Sequence, residues 1–332
     1  MENSLNKFLS DSFYNEGYDQ PHVLQEDVTL HEIIGHGSFA HVKRGTYKGE
    51  TVAVKEIMRH YILTEEQVRE TVRSELKNSS RLRNQEFVTQ VIGYYIADDT
   101  VSILLSYAAN GDLKKYLAQK KLKGNWRKKA SICADIAKGL ISIHSKNVIH
   151  GDLKASNILL DEFLKPKISD FGVSRTFTSV GKGKDFGHTL RHIAPERLGK
   201  KWSKEKHTHE QLKQSDIFGF GLIMWEVATD GESPYRGAEN SADILIRKQQ
   251  KEDHLQSVGD PPKDTPAVFR AMMSNCLQAE PSSRMPLNAV YEALRAYANE
   301  SSLLDNSVSP SKNTEDIQAV KERFVADRDI YD

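Results

Sequence analysis

The sequence is poor in cysteine, in glycine and proline, and in long apolar runs. Two cysteines among 332 residues cannot form a disulfide framework, which predicts reduced thiols and a cytoplasmic location. Twenty glycines and ten prolines are too few for a collagen-like or mainly disordered chain. The best apolar run, residues 217–228, is much shorter than the ~20 residues that a membrane-spanning helix requires, so no membrane span is expected.

Charge of either sign is not in excess, because 46 Lys and Arg residues balance 46 Asp and Glu residues. This neutrality argues against a protein held on nucleic acid by bulk charge, and no nucleic-acid partner is expected. One local exception is residues 114–129, with eight basic residues and no acidic one. A solvated surface between two helices is the plainer interpretation of that segment. The first residues carry acids and no long apolar stretch, so no signal peptide is expected.

The pattern of apolar residues changes near residues 105–111. Before that point, short β-rich runs bounded by turn residues surround one helix over about 64–83, where Val68, Val72 and Leu76 recur at every fourth position. After it, apolar residues follow helical spacing. Strands are predicted at 51–55 and 101–105, and helices at 126–146, 215–229, 241–252, 266–278 and 287–299. We therefore expect an α+β fold with a small β-rich lobe and a larger, mainly helical lobe.

Both ends of the sequence are polar. Residues 1–26 predict a flexible N-terminal arm, and residues 299–332 predict a polar tail with a helix over 314–328. A frayed terminal helix is the plainer interpretation of the tail. The alternative is a helix that docks on its own chain or on another protein.

A glycine-rich hairpin is predicted at residues 34–42. The pattern Gly-x-Gly-x-x-Ala-x-Val allows backbone amides to approach phosphate oxygens, because no side chain stands at the glycines. The pattern alone is weak evidence, since Gly-x-Gly in a hairpin is usually only a turn. The residues of this candidate phosphate site are Ile34, Gly35, His36, Gly37, Ser38, Phe39, Ala40 and Val42.

Charged residues follow at a strand end, on the predicted helix and in one polar loop. Lys55 ends a β-branched run and Glu75 lies on the helix; each by itself is typical of a solvated surface. The decisive segment is His150-Gly-Asp-Leu-Lys-Ala-Ser-Asn157, which has apolar runs on both sides. Asp170-Phe-Gly follows eighteen residues after Asp152. Burying the apolar flanks would bring several charged side chains together, where uncompensated charge is costly.

The order of these motifs resembles that of a protein kinase catalytic domain. It comprises Gly-x-Gly-x-x-Ala-x-Val, Val-Ala-Val-Lys, Glu, His-x-Asp-Leu-Lys-x-x-Asn, Asp-Phe-Gly and Ala-Pro-Glu, over about residues 28–298. Segments 189–196 and 221–226 resemble the tyrosine kinase-like group of serine/threonine kinases in particular. The implied two-lobed kinase domain covers 27–298, with an N-lobe at 27–105, a hinge at 106–111 and a C-lobe at 112–298.

The resemblance implies that ATP donates its γ-phosphate to hydroxyl groups of protein substrates, with Mg²⁺ or alternatively Mn²⁺ as the metal. The residues that match the catalytic motifs are Lys55 with its partner Glu75, the base Asp152, Lys154 beside the transferring group, and the metal ligands Asn157 and Asp170. The residues that match the adenine pocket are Val42, Ala53 and Leu159, the gatekeeper Leu105, and the hinge residues Ser106, Tyr107 and Ala108.

Two residues favour serine and threonine as phosphate acceptors. Lys154 follows the catalytic aspartate by two positions, and Thr189, which precedes Ala-Pro-Glu, is expected next to the substrate.

The resemblance also implies two structural residue sets in the C-lobe. Asp216 is expected to secure the catalytic loop, and Glu196 is expected to form a buried ion pair with Arg284.

Three positions depart from the family pattern. Ala40 replaces a glycine and is expected to stiffen the hairpin. Gly151 replaces an arginine that receives an activation-loop phosphate, so activity is expected not to depend on that phosphate. Ser79 stands where the family has leucine or methionine packing on Phe171. The 64–83 helix is therefore expected to favour an outward, inactive position until a regulatory protein that docks on this helix or on the tail moves it inward. The alternative is that the helix register is displaced by one turn. The alternative function is a catalytically weak or inactive kinase-fold switch or scaffold that binds nucleotide and partner proteins.

Overall fold

A computed structural model describes residues 21–36, 40–58, 65–97, 100–171, 190–198, 207–249 and 254–300. Several of the predictions above lie outside these residues. They are the arm at 1–20, the tail helix at 314–328, the hairpin residues Gly37, Ser38 and Phe39, the side chain of Val68, and Thr189. These remain predictions.

The described chain forms two compact units. The first contains the residues up to Leu113 together with 142–152 and 156–171, and the second contains 114–141, 153–155 and the residues from 190 onward. Within the described residues, no helix has the length and apolar character needed to cross a membrane. Cys133 and Cys276 are both buried free thiols, as the sequence predicts.

A five-stranded antiparallel sheet dominates the first unit. Its strands are β1 (Val28–His36), β2 (Ala40–Tyr47), β3 (Glu50–Met58), β4 (Val91–Ala97) and β5 (Thr100–Ser106). Their order across the sheet is β1-β2-β3-β5-β4. The strands predicted at 51–55 and 101–105 lie within β3 and β5, which extend further at both ends. Two short strands, β6 (Ile158–Leu160) and β7 (Pro166–Ile168), form a separate ribbon.

Each face of the main sheet has its own apolar cluster. Helix α1 (Glu65–Arg81) buries Val72 and Leu76 against Ile57, Val101, Ile103 and Tyr94. This confirms the helix predicted in the β-rich region, on which Val72 and Leu76 share one apolar face. The opposite face packs Val52, Val54, Tyr95 and Leu104 around Val23.

The arm prediction is wrong for residues 21–26. Val23 is buried, its amide donates to the carbonyl of Tyr94, and the amide of Tyr94 donates to the carbonyl of Pro21. The stretch therefore adds to the edge of the sheet at β4, where it covers apolar residues and satisfies backbone groups.

Helices make up the second unit. They are α2 (Leu113–Ala118), α3 (Trp126–Ser145), α4 (His209–Ala228), α5 (Ser241–Gln249), α6 (His254–Val258), α7 (Ala267–Cys276) and α8 (Leu287–Asn299), with the ends of α2 and α3 shared with the first unit. The positions predicted for α3, α7 and α8 are confirmed to within about two residues. The short helices α2 and α6 were not predicted, because five or six residues are too few to show a period.

Helix α4 starts six residues before its predicted start at Ser215. Thr208 and Gln211 form a reciprocal capping box that begins the helix in a polar turn, before the apolar run. From Ser215 onward every residue of α4 is buried. At Gly221 a β-carbon would lie 2.9 Å from Cys276, so glycine is required for the close packing of α4 on α7.

Candidate active site

Three charged side chains meet in the first unit. The Lys55 amine on β3 donates to both carboxylate oxygens of Glu75 on α1, at 2.9 and 2.7 Å. It also donates to Oδ1 of Asp170, which follows β7, at 2.9 Å. The Glu75 side chain is 3% exposed and the Asp170 side chain 38%. One buried and one accessible carboxylate therefore share a single ammonium group.

The packing of α1 sets this geometry. Glu75 lies between the buried Val72 and Leu76 along the helix, so the apolar stripe that packs on the sheet also directs Glu75 toward it. Lys55 follows Val54, which is buried on the opposite face of β3. Because side chains alternate along a strand, Lys55 stands on the face that α1 covers.

The carboxylates control the charge of Lys55. Burial alone lowers the pKa of the lysine, but the nearby charges of Asp170 and Glu75 outweigh it, and the pKa of Lys55 lies above its ordinary value of 10.5. The amine is therefore a fixed positive charge at any physiological pH. A fixed cation beside an accessible carboxylate suits a site for phosphate oxygens.

The polar loop at 150–157 is organised around His150. Its buried ring has Nε2 at 2.9 Å from the carbonyl oxygen of Ser169, and the amide of Asp152 donates to its Nδ1 at 3.2 Å. Because Nδ1 accepts a hydrogen bond, the proton lies on Nε2, which donates to the carbonyl. The ring also packs against Phe171, with centroids 5.2 Å apart. His150 thus ties the loop to the segment that carries Asp170.

A second set of contacts holds Asp152 and Asn157. The Asn157 amide group donates to the backbone carbonyl of Asp152 at 2.8 Å and to its Oδ2 at 3.2 Å. The carbonyl of Asn157 accepts from both the amide and the hydroxyl of Ser169, at 2.9 and 3.0 Å. Asp152 is 9% exposed and Asn157 6%. The loop therefore presents a carboxylate and an amide oxygen in a fixed arrangement.

Two backbone positions in this region lie in the left-handed conformation. Gly151 has φ 78° and Asp170 has φ 69°. Glycine adopts this conformation freely, whereas aspartate does so at a cost of about 1 kcal/mol. Such a cost at a non-glycine residue is typical of functional segments.

Three residues assigned to the adenine pocket share one sheet face with Lys55. Val42 is the direct cross-strand partner of Lys55, and Ala53 is the partner of Leu105. Directly opposite residues point to the same side of a sheet. Leu159 lies on β6, which is hydrogen-bonded to residues 110–111 at the end of the predicted hinge.

His36 does not share that face. Its Nδ1 lies 2.9 Å from Nδ1 of His41, which neighbours Val42 and therefore points to the opposite side of β2. His36 could therefore contact a nucleotide only through its backbone groups. A cavity of the first unit is lined by Ser106, Tyr107 and Ala108 together with 84–90, and it contains none of the charged groups described above.

A family model for protein tyrosine and serine/threonine kinases matches residues 28–294. The chain belongs to the protein kinase family. The predicted kinase fold is therefore confirmed, with its sheet-rich N-terminal and helical C-terminal regions.

The chain is similar to proteins named for both substrate classes. It is 28% identical over 86% of its length to the "Probable serine/threonine-protein kinase drkB" of Dictyostelium discoideum. It is 31% identical over 81% to the serine/threonine-protein kinase CTR1 of Arabidopsis thaliana, and 32% identical over 64% to the tyrosine-protein kinase csk-1 of Caenorhabditis elegans. The chain spans 39%, 31% and 38% of the length of these relatives.

The ion pair expected in the second unit is present. Arg284 donates from Nη1 and Nη2 to the two carboxylate oxygens of Glu196, at 2.7 and 2.8 Å. The side chain of Arg284 is fully buried and donates further to the carbonyls of Gln214 and Gln278. Asp216 is also buried on α4. Lys154 belongs to the second unit, and its side chain is half-exposed.

The oxygen groups of the first unit fit a magnesium ion. Asn157 uses its NH₂ group on Asp152, which leaves its amide oxygen to face a ligand, and Asp170 offers an accessible carboxylate. Carboxylate and amide oxygens are ligands that Mg²⁺ accepts. Within the described residues, no group of three or more His, Cys, Asp and Glu side chains forms a metal site. Mg²⁺ usually binds only one or two protein side chains, because phosphate oxygens and water molecules complete its coordination shell.

Sequence reasoning missed two buried polar residues of the second unit. Glu226 on α4 accepts hydrogen bonds at one oxygen from the amide of Ala155 and from the ring of His192, at 3.3 and 3.4 Å. Lys248 on α5 is 2% exposed. Glu226 was visible as an acid inside an apolar run, but Lys248 looked like one of many basic residues on a polar helix.

Proposed function

We propose that this protein is a serine/threonine protein kinase that uses ATP and Mg²⁺. The arrangement of Lys55, Glu75 and Asp170 beside Asp152 and Asn157 carries the proposal. A fixed cation, an accessible carboxylate and a positioned carboxylate–amide pair supply the charge stabilisation that phosphoryl transfer requires. The two free thiols agree with the reducing cytoplasm that the sequence predicts.

Each residue of the site has a distinct part in the transfer. Lys55, held by Glu75, would bind phosphate oxygens of ATP. Asp152, held by Asn157, would accept the proton of the attacking substrate hydroxyl. Asn157 and Asp170 would hold the Mg²⁺ ion, which when bound neutralises phosphate charge. Orienting the hydroxyl and the phosphates together supplies much of the rate enhancement, because phosphoryl transfer needs little covalent chemistry from the protein.

Serine and threonine are the proposed acceptors because of Lys154 and Thr189. Several of the similar proteins are named as serine/threonine kinases, including the Dictyostelium and Arabidopsis relatives. Phosphoamino-acid analysis of the autophosphorylated protein tests the assignment. We expect phosphoserine and phosphothreonine, and phosphotyrosine as the main product would refute it.

Replacing the proposed base tests the catalytic assignment. Asp152→Asn keeps the size and the contact with Asn157 but cannot accept a proton, so phosphoryl transfer should fall by about 10²–10⁴-fold. Radiolabelled ATP and a peptide substrate provide the measurement. Asp260→Asn, which changes an exposed carboxylate of the second unit, is the matched control and should leave the rate unchanged.

An inactive scaffold is the less favoured alternative. Gly151 motivates it, but the four residues that match the catalytic motifs are present as two hydrogen-bonded pairs, Lys55 with Asp170 and Asp152 with Asn157. Ser169, which precedes Asp170, donates to the carbonyl of Asn157 and so links the two pairs. Keeping such charged groups together is costly unless they act on a bound ligand. Equal, near-zero transfer rates for the wild type and Asp152→Asn would favour the scaffold.

A further inference from the structure

Three consecutive residues before Ala-Pro-Glu are anchored by side chains. Arg191 donates from its guanidinium to the carbonyls of Pro234 and Tyr235, at 2.6 and 3.0 Å. The ring of His192 contacts Glu226. The amine of Lys248 donates to the carbonyl of Arg191 at 3.0 Å and to that of Ile193 at 2.6 Å. The backbone of 191–193 is therefore held from α5 by a single side chain.

Lys248 occupies apolar surroundings. Its amine lies 4.4 Å from the centre of the Tyr235 ring and 5.3 Å from that of Phe218. Among the described residues, no carboxylate lies within ion-pair distance of it. Burial, reinforced by the charges of Arg191 and Arg284, lowers the pKa of Lys248 well below its ordinary value, although Glu196 acts in the opposite direction. Either protonation state keeps at least two N–H donors for the two carbonyls.

A lysine in this position is a poor choice for stability. Burying an amine without a carboxylate is costly, and an apolar side chain of similar length would pack against the same two rings without that cost. What the amine adds is two hydrogen bonds that fix the path of the chain at 191–193. A residue that costs stability but fixes a functional segment is typical of a site shaped by activity.

We propose that Lys248 is a positioning residue for the protein substrate, holding the backbone at Arg191 and Ile193 in the conformation that receives the peptide. The proposal rests on the proposed kinase function and on the expectation that Thr189, two residues before Arg191, contacts the substrate. Lys248 is buried and its amine contacts backbone carbonyls of the segment, so it would act on peptide binding through the segment.

Lys248→Met tests this, because methionine keeps an unbranched side chain and removes the donors. We expect KM for a peptide substrate to rise about tenfold, which corresponds to loss of about 1.4 kcal/mol of binding. KM for ATP should stay within about twofold, since no ATP contact is lost. The free energy of unfolding should change little, because removing the buried amine and losing its two hydrogen bonds act in opposite directions. Amide hydrogen exchange at 190–198 should become faster.

Arg247→Met is the matched control on the same helix. Its guanidinium donates to the carbonyl of Arg236 at 2.9 Å and does not contact 191–193. This variant should leave peptide KM and exchange at 190–198 unchanged.

Two outcomes would overturn the proposal. One is an unfolding free energy that falls in Lys248→Met while both KM values stay equal to wild type, which is the signature of a merely structural lysine. The other is unchanged amide exchange at 190–198. Amide hydrogen exchange does not depend on catalytic activity. It therefore tests the role of Lys248 even if the wild type transfers no phosphate and the proposed kinase function is wrong.

Discussion

At the scale of single residues, Gly151 occupies a backbone conformation that other residues adopt only at a cost. Its φ of 78° places it in the left-handed region, directly before the proposed base Asp152. Gly151→Ala should therefore lower the free energy of unfolding by about 1 kcal/mol. Urea denaturation of both proteins measures the difference, and an alanine variant as stable as the wild type would contradict this account of the loop.

His254 provides a test of pH dependence. The residue is buried, and desolvation together with the charges of Lys248 and Arg284 lowers its pKa from 6.5 to about 4, against a smaller opposing effect of Glu196. The folded protein therefore binds fewer protons than the unfolded chain between these values. Stability should be complete above pH 6.5 and should decrease as the pH falls toward 4.

His254→Leu should flatten the pH dependence of stability within that window, because the titrating group is gone. Thermal unfolding from pH 4 to pH 7 provides the measurement. His31→Gln, which removes an exposed histidine of the first unit that contacts Thr46, is the control and should keep the wild-type pH profile. A His254→Leu profile that matches the wild type would show that the dependence arises elsewhere.

Some residues of the site were accessible to sequence reasoning and others were not. The sequence identifies Lys55, Asp152 and Asp170 because each ends or interrupts an apolar run. A charged residue beside buried apolar residues is costly unless it is paired or functional. Lys248 was not found, because burial of a lysine is decided by tertiary packing that a polar helix pattern does not reveal.

At the scale of elements, α1 connects the sheet to the segment around Asp170. Asn78 donates from its side chain to the carbonyl of Phe171 at 3.3 Å, and Ser79 is buried one turn after Glu75. A hydroxyl at this position contributes less apolar packing than the leucine or methionine of the family pattern. Any loosening of α1 would also separate Glu75 from Lys55.

Ser79→Leu should therefore raise basal phosphoryl transfer, because additional apolar burial would favour the inward position of α1. Initial rates with ATP and a peptide substrate provide the measurement. Ser80→Leu changes the half-exposed neighbour and is the control. An unchanged or lower rate in Ser79→Leu, with the control at the wild-type rate, would contradict the hypothesis that Ser79 weakens the packing of α1.

Element prediction succeeded where one face of a segment is apolar. Helices α3, α7 and α8 show that pattern and lie close to their predicted bounds. The start of α4 was placed too late, since its first turn is polar and its capping box is a subtler signal than periodicity. Strands β6 and β7 have three residues each, which is too short for alternation to be visible.

At the scale of the whole molecule, residues distant in the sequence share one compact unit. Lys55, Glu75, Asp152, Asn157 and Asp170 all belong to the first unit, although residues 114–141 and 153–155 between them belong to the second. Motif order predicted that these residues act together. The sequence predicts a change of lobe at residues 105–111. The assignment of 142–152 and 156–171 to the first unit depends on long-range contacts, which local pattern does not show.

The proposed function requires that the first unit binds ATP together with Mg²⁺. Calorimetric titration of the full chain with ATP, with and without Mg²⁺, tests that most directly. We expect a binding heat that requires Mg²⁺ in the wild type, and a much weaker one in Asp170→Asn, which loses a metal ligand. Absence of any binding heat from the wild type with Mg²⁺ present would contradict the account.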